Sequence, residues 1–452
     1  MKPRTTLRIL RDRLLGKGLR HAYWDAALLT SELAYLFNAG NAPFRRHARH
    51  DLVRYLRGAV RPVEDQTVER ARAAVKWILK AQAATPDDGV SLGYFPCSRD
   101  APGWRPSYPE TTGYIITSLL AFAERFGDGA AREAALRMAR WEVAVQLASG
   151  AVQGGPVCAP EQQTAAAFNT GMVLDGWCSA YSVVREDGLL AAARRAADFL
   201  VADLDEAGYY RTNGAFVKPG EIKTYSCLCA WAIHRFGDLV DEQSYRAAAV
   251  RSVEAAVRQQ QPNAWFAHNC LVRSDAPLTH TIGYTLQGLL EVGLLAQREE
   301  FVGAVERALQ AIAPRVHRTG YLPGMFYADW EPAVSSSCLT GSAQIAIVAY
   351  RAFQATGKTA YRDLGDKLTN YLKPLQALDA EDPAVIGAIA GSFPLFGEYM
   401  RGGYPNWATK YFLDALLMQD VCSTRRHSDS VNEPSLARTN LVQMQESFQR
   451  RL

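Results

Sequence analysis

Tyr108-Pro-Glu-Thr-Thr-Gly-Tyr-Ile-Ile-Thr-Ser-Leu-Leu120 opens on small and polar residues, then turns apolar with almost no charge. Five later segments follow the same plan: Phe168-Asn-Thr-Gly-Met-Val-Leu-Asp-Gly-Trp177, Lys223-Thr-Tyr-Ser-Cys-Leu-Cys-Ala-Trp231, Thr279-His-Thr-Ile-Gly-Tyr-Thr-Leu-Gln-Gly-Leu-Leu290, Ser337-Cys-Leu-Thr-Gly-Ser-Ala-Gln-Ile-Ala346 and Asn406-Trp-Ala-Thr-Lys-Tyr-Phe-Leu-Asp-Ala-Leu-Leu417. Anchored on Gly113, Gly171, Cys227, Gly283, Gly341 and Ala408, they recur at intervals of 58, 56, 56, 58 and 67 residues. A fixed period of this kind is the signature of a repeat architecture.

Between these segments lie six others that mix apolar residues at helical spacing with Arg, Glu and Gln: Val68 to Gln82, Ala131 to Gln146, Leu190 to Leu204, Gln243 to Gln260, Phe301 to Val316 and Tyr361 to Leu375. The first set is apolar all round and predicts buried helices. The second is amphipathic and predicts helices with one wet face. Alternating them gives an inner and an outer ring, so the expected fold is all-α: an (α/α)6 toroid of six helical hairpins. An open solenoid is the competing architecture and should show capping repeats. The expected division is a basic helical extension over 1–62, the toroid over 63–420 and a polar tail over 421–452.

With 50 Lys plus Arg against 46 Asp plus Glu, the net charge of +4 does not call for a nucleic-acid partner. Residues 1–21 are locally basic, with Arg and Lys interleaved with Leu and Ile. This segment reads either as a packing helix or as a peripheral membrane contact. No stretch has the length and apolarity of a signal-peptide core or a membrane span, so a cytoplasmic location is expected. Eight scattered cysteines without Cys-x-x-Cys spacing read as reduced core thiols.

In such a ring the loops leading into the inner helices gather at one rim, where the first turns of those helices also lie. This rim is the expected active site. Its loops are rich in aromatic residues, including Trp104, Trp330 and Tyr404, whose faces suit the apolar faces of sugar rings. The expected partner is an oligo- or polysaccharide, free or lipid-linked, and no cofactor or metal is expected. His280 and Tyr284 stand four residues apart on one face of the fourth inner helix. Lys410 lies in an otherwise apolar inner helix and is costly to bury unless it is paired or meets a cavity.

Tyr108-Pro-Glu-Thr-Thr-Gly-Tyr resembles the start of a helix in the toroid domain of D-glucuronyl C5-epimerases. Ser335-Ser-Ser-Cys-Leu-Thr-Gly-Ser-Ala-Gln344, with Arg351 and Thr356-Gly-Lys358 after it, is similar to another inner segment of that family. The resemblance implies a uronate-containing glycan whose C5 proton is removed, giving epimerisation or lyase cleavage. It makes Tyr108 an acid–base candidate beside Glu110, His280 and Tyr284. Asn169, Gln344, Arg401 and Lys410 are then candidates for binding the carboxylate, and Trp104, Tyr114, Trp330 and Tyr404 for holding the sugar.

Two other chemistries compete. Glu110 facing Asp329, Glu331 or Glu398 could form the carboxyl pair of an inverting glycoside hydrolase. A zinc site could draw only on Cys270, Cys338, His268 and His280, without the Cys-His dipeptide of lanthionine cyclases. A non-catalytic glycan-binding module needs the aromatics but no convergent ionisable groups.

Overall fold

The computed structural model describes residues 42–430 apart from 59, 99–101, 216, 219 and 272–274, together with 26 and 30. The basic segment 1–21 and most of the polar tail lie outside the described residues.

Among the described residues, helix α1 (Ala42–Arg57) precedes twelve that alternate as expected. The outer helices are α2 (Thr67–Ala83), α4 (Gly129–Val145), α6 (Asp187–Asp203), α8 (Gln243–Val257), α10 (Glu299–Ile312) and α12 (Thr359–Leu372). The inner helices are α3 (Pro109–Phe126), α5 (Ala167–Val184), α7 (Leu228–Val240), α9 (Thr279–Leu295), α11 (Leu339–Thr356) and α13 (Asn406–Ser430). Consecutive inner helices touch in ring order, and α13 packs on α2 and α3, closing the circle. An open solenoid would leave those ends apart. Short links such as Gly127–Asp128 send each inner helix back as an outer one, so all six inner helices start at the same rim. Gly127 adopts the left-handed conformation that ends α3, and the Asp128 carboxylate caps α4 by accepting from Ala131 N at 2.9 Å.

The departures from regularity have local causes. The third inner segment, anchored on Cys227 rather than a glycine, differs from the others: its helix opens with a 3₁₀ turn, Thr224–Cys227, and then runs only 13 residues. The long last interval goes into the loop before α13, which holds the turn Pro383–Val385 and two of five short strands. These strands, β1 (Gly93–Phe95), β2 (Gly103–Trp104), β3 (Ser337–Cys338), β4 (Ser392–Phe393) and β5 (Tyr404–Pro405), are too short to show an alternating pattern. They tie neighbouring rim loops together: β1 pairs antiparallel with β2 and β5, and β3 with β4. Helix α1 clamps the same rim, where Asp51 accepts from Leu395 N at 2.7 Å and the Tyr55 hydroxyl donates to Ser335 O at 3.0 Å. The boundary expected at 420 lies too early, since α13 continues to Ser430 with Val421 and Cys422 buried.

Gly113, Gly171, Gly283 and Gly341 all sit where an inner helix meets its neighbour. At Gly113 a Cβ would stand 2.5 Å from Val173 Cα and 2.8 Å from its backbone nitrogen. Only a hydrogen fits there, so the helix axes approach closely and the lumen is narrow.

A second backbone constraint repeats after the outer helices. The turns at Leu147–Ala151, Asp205–Tyr209, Gln261–Trp265 and His317–Tyr321 share one hydrogen-bond pattern. Their fourth residue has positive φ: Gly150 (86°), Gly208 (93°) and Gly320 (90°), but Ala264 (67°) in the remaining repeat. An alanine held there carries a strain of roughly 1–2 kcal/mol. Two opposite effects on unfolding free energy follow. Gly113→Ala should lower it by about 1–3 kcal/mol, while Ala264→Gly should raise it by about 1 kcal/mol. Denaturant midpoints check both, and a destabilised Ala264→Gly protein would refute the strain argument.

Candidate active site

Tyr108 is the extended residue just before α3, and Pro109 occupies the first helical position. The Thr112 hydroxyl donates to Tyr108 O at 2.9 Å and accepts from Val90 N at 2.9 Å, which pins this turn to the preceding loop. Glu110 follows in the first turn, and the Tyr108 hydroxyl donates to Glu110 Oε2 at 2.6 Å. Asn169, at the start of α5, also hydrogen-bonds Tyr108 and donates through Nδ2 to Gln153 O at 3.0 Å. Tyr108, Glu110 and Phe168 are half-buried although protein surrounds them on nearly every side, so they line a recess that solvent reaches.

Across the ring, His280 in the first turn of α9 holds Gln344 of α11. Its Nδ1 stands 2.6 Å from Gln344 Oε1, and with the amide oxygen on this side it is Nδ1 that carries the proton. Nε2 is thereby left as an acceptor. His280 also stacks against Tyr284 at 4.3 Å and Tyr399 at 5.2 Å. The space between Glu110 and His280 is walled by tyrosines. Burial pushes Tyr108, Tyr114, Tyr225, Tyr284, Tyr399 and Tyr411 up, and the Glu110 charge adds to the push on each.

Burial acts on the two proton-carrying groups in opposite directions because it disfavours whichever form is charged. The Glu110 carboxyl rises to about 7, with the Tyr108 hydrogen bond opposing the rise. The His280 imidazole falls to about 4, with Gln344 opposing the fall. Near pH 7 the imidazole is neutral and a large share of Glu110 is protonated.

Of the residues singled out by sequence, Tyr108, Glu110, Tyr114, Asn169, His280, Tyr284, Gln344 and Lys410 come together on the ring axis. Four do not and stand away from that axis: the aromatics expected to hold the sugar, Trp104, Trp330 and Tyr404, and Arg401, expected to bind its carboxylate. Trp104 packs on Trp77 and Tyr94 with ring centres 5.6 and 5.2 Å away. Trp330 is buried edge-on against Trp265 at 5.1 Å, and its Nε1 donates to Asn263 O at 2.9 Å. Tyr404 is buried in β5 beside His47, and Arg401 sits in an exposed turn 3.6 Å from Glu398. These aromatics close the top of the core, where large rings seal the loop ends.

Lys410 is on the axis but is not a spare charge. Its Nζ pairs with Asp414 at 2.7 Å and lies over the Tyr411 and Tyr114 rings. Gln344 meets His280 through Oε1, while its Nε2 is buried without a hydrogen-bond partner among the described residues. The acids expected opposite Glu110 are elsewhere: Glu331 pairs with Arg315 at 2.9 Å, and Asp329 caps its own turn by accepting from Glu331 N at 3.0 Å. Asp329 lines a separate rim cleft of about 890 Å³ with Lys223, Trp265 and Tyr327. Cys338 Sγ accepts from Gly341 N, and among the described residues no group of three or more His, Cys, Asp or Glu could hold a metal.

Sequence reasoning missed Tyr399 and Trp407. The Trp407 indole donates to the Tyr399 hydroxyl at 2.8 Å and packs edge-on to Tyr108 at 6.1 Å. Trp407 carried a signal, lying in the last inner segment near Lys410. Tyr399 carried none, since it arrives on an aperiodic glycine-rich loop.

The backbone as a whole matches known structures. The chain superposes on an unsaturated glucuronyl hydrolase specific for heparin with a TM-score of 0.64 and 14% identity, covering 80% of this chain and 99% of that one. A second unsaturated glucuronyl hydrolase, from Bacillus sp. GL1, gives 0.62 and 16% identity over 78% and 96% of the two chains. A cellobiose 2-epimerase from Spirochaeta thermophila gives 0.62 and 13% identity over 79% and 97%. The fold is the six-hairpin α/α toroid. At these identities the likeness establishes the toroid and nothing finer. No protein-family model matches the sequence, and no curated protein matches it. The resemblance to glucuronyl C5-epimerases rests on the two sequence motifs alone.

The raised Glu110 value gives a stability prediction. Its folded value of about 7 lies above the ordinary 4.5, so the folded chain holds the proton more tightly than the unfolded one. Stability from this group is full below about 4.5 and is lost as pH rises toward 7. Glu110→Gln should flatten that decline in the thermal midpoint without abolishing it, because buried Asp51 also rises to about 7. Superimposable midpoint–pH curves for the two proteins would contradict the assignment.

Proposed function

We propose that this chain is a carbohydrate-active enzyme that moves a proton at a sugar carbon beside a carbonyl. The observation carrying the proposal is the placement of Glu110 on α3 and His280 on α9, inner helices three steps apart in a ring of six and so on opposite walls of the lumen. A base on one face of a sugar and an acid on the other is what inversion at carbon requires. The protonation states near pH 7 fit those roles. Neutral His280 takes the proton at Nε2; the electron pair moves to the carbonyl oxygen; protonated Glu110 delivers a proton to the opposite face. The Tyr399 hydroxyl is the donor placed to meet the developing oxyanion, while the Tyr108 hydroxyl donates to Glu110 and holds that carboxyl in place. Trp407 occupies a lone pair of Tyr399, which leaves that phenol's own proton to donate.

Charge decides between substrates. A uronate needs its carboxylate neutralised, but Lys410 is paired with Asp414 and Arg401 stands at the exposed rim. A neutral sugar using its own carbonyl, as the name of the similar cellobiose 2-epimerase implies for that protein, fits these charges better than the uronate expected from sequence. Hydrolysis by paired carboxyls is less well supported, since burial and Tyr108 account for the Glu110 shift and no second acid contributes.

Incubation in deuterated water with cellobiose, and separately with a uronate oligosaccharide, tests the proposal. Deuterium at the carbon next to the carbonyl of cellobiose, with the epimeric product, is expected. Cleavage without deuterium incorporation would establish a hydrolase, exchange at C5 of the uronate would restore the uronate reading, and binding without reaction would make the chain a glycan-binding module. Tyr108→Phe should reduce kcat on the order of 10²-fold with little change in KM. Undiminished turnover would remove the Tyr108 hydroxyl from the reaction.

A further inference from the structure

Below the recess the lumen narrows to a second polar site that the proposed reaction does not use. Tyr114 lies one turn deeper than Glu110 on α3, and Gln287 lies seven residues beyond His280 on α9, about 10 Å along the axis. Tyr114, Gln287 and Asp414 line a common cavity of about 20 Å³ with Lys410, Thr117 and Asp175. Three polar atoms of these residues are fully buried and make no well-formed hydrogen bond in the protein: the Tyr114 hydroxyl, Gln287 Oε1 and Asp414 Oδ1, the last beside the Ser118 hydroxyl. Each belongs to a residue at least nine-tenths buried. Burying three such groups unpaired is expensive, and three converging on one small cavity point to a shared ligand.

Size and charge define that ligand. A volume of about 20 Å³ is enough for a water molecule. The acids at the site are already matched, Asp414 by Lys410 at 2.7 Å and Asp175 by Arg235, with the Thr117 hydroxyl donating to Asp175 at 2.8 Å. A cation would face the Lys410 ammonium, and an anion would face Asp414 and Asp175. The hydrogen-bond count also balances for a neutral donor–acceptor, with two acceptors needing protons and one phenol able to give one.

We infer that this cavity is a binding site for a single long-lived water, which donates to Asp414 Oδ1 and Gln287 Oε1 and accepts from the Tyr114 hydroxyl. The water joins α3 and α13 to α9 across the ring and completes a floor under the recess.

Water-¹⁷O relaxation dispersion counts long-lived internal waters, and high-resolution diffraction locates them. The wild-type protein should show one more such water than Gln287→Met, whose side chain fills the cavity and removes one acceptor. Tyr114→Phe should keep the water but shorten its residence about tenfold. Diffraction from the wild type should show three-coordinate density between the named atoms. Equal water counts in wild type and Gln287→Met, absence of density at the site, or a heavier ion there would each overturn the inference. If Gln287→Met fails to fold, the wild-type density and the Tyr114→Phe residence time decide it.

Discussion

The closeness of the inner helices is the constraint on which the rest of this structure depends. A glycine at the Gly113–Val173 contact brings backbone onto backbone, and similar contacts recur around the ring. The lumen they leave is too narrow to be a channel. Side chains from opposite walls meet in it, so any polar group projecting inward must find a partner or lose its charge.

Both solutions are present, at different depths. In the deeper half, charges survive as pairs: Asp175 with Arg235, Glu291 with Arg351 at 2.7 Å and Lys410 with Asp414. Pairs like these contribute little net stability, yet losing one partner strands the other, so the two that cross between helices, Asp175–Arg235 and Glu291–Arg351, fix which inner helices are neighbours, while Lys410–Asp414 lies within α13. Near the rim, Glu110 and His280 have no counter-ion and are driven instead toward their neutral forms. One physical cause thus leaves a carboxyl and an imidazole on facing walls both favouring their neutral forms, and the tyrosines between them supply hydroxyl groups without adding charge.

The ring was legible in the sequence because its cause is periodic. Inner helices must be apolar all round and small at their contacts, outer ones need a wet face, and both demands recur with every hairpin. The site was legible where it belongs to an inner helix: Glu110, Asn169, His280, Tyr284 and Lys410 all stand in those repeating segments. Reading failed where a side chain's partner comes from a distant part of the chain. Nothing near Lys410 in sequence shows that its ammonium sits over the Tyr114 ring, and Trp104, Trp330 and Tyr404 look the same whether a rim aromatic faces sugar or seals a loop. Tyr399 is placed by Ser392, whose hydroxyl donates to Tyr399 O at 2.6 Å and accepts from Tyr399 N at 3.0 Å, a clasp without periodicity.

Desolvation pushes the groups on the two walls in opposite directions, and side-chain NMR measures their protonation states directly. Selective labelling of histidine and glutamate should show His280 as the Nδ1–H tautomer at pH 7, titrating near 4, and Glu110 titrating near 7. A His280 that titrates at an ordinary imidazole value of about 6.5, with Glu110 ionised at an ordinary 4.3 or so, would show a lumen too wet to act as described.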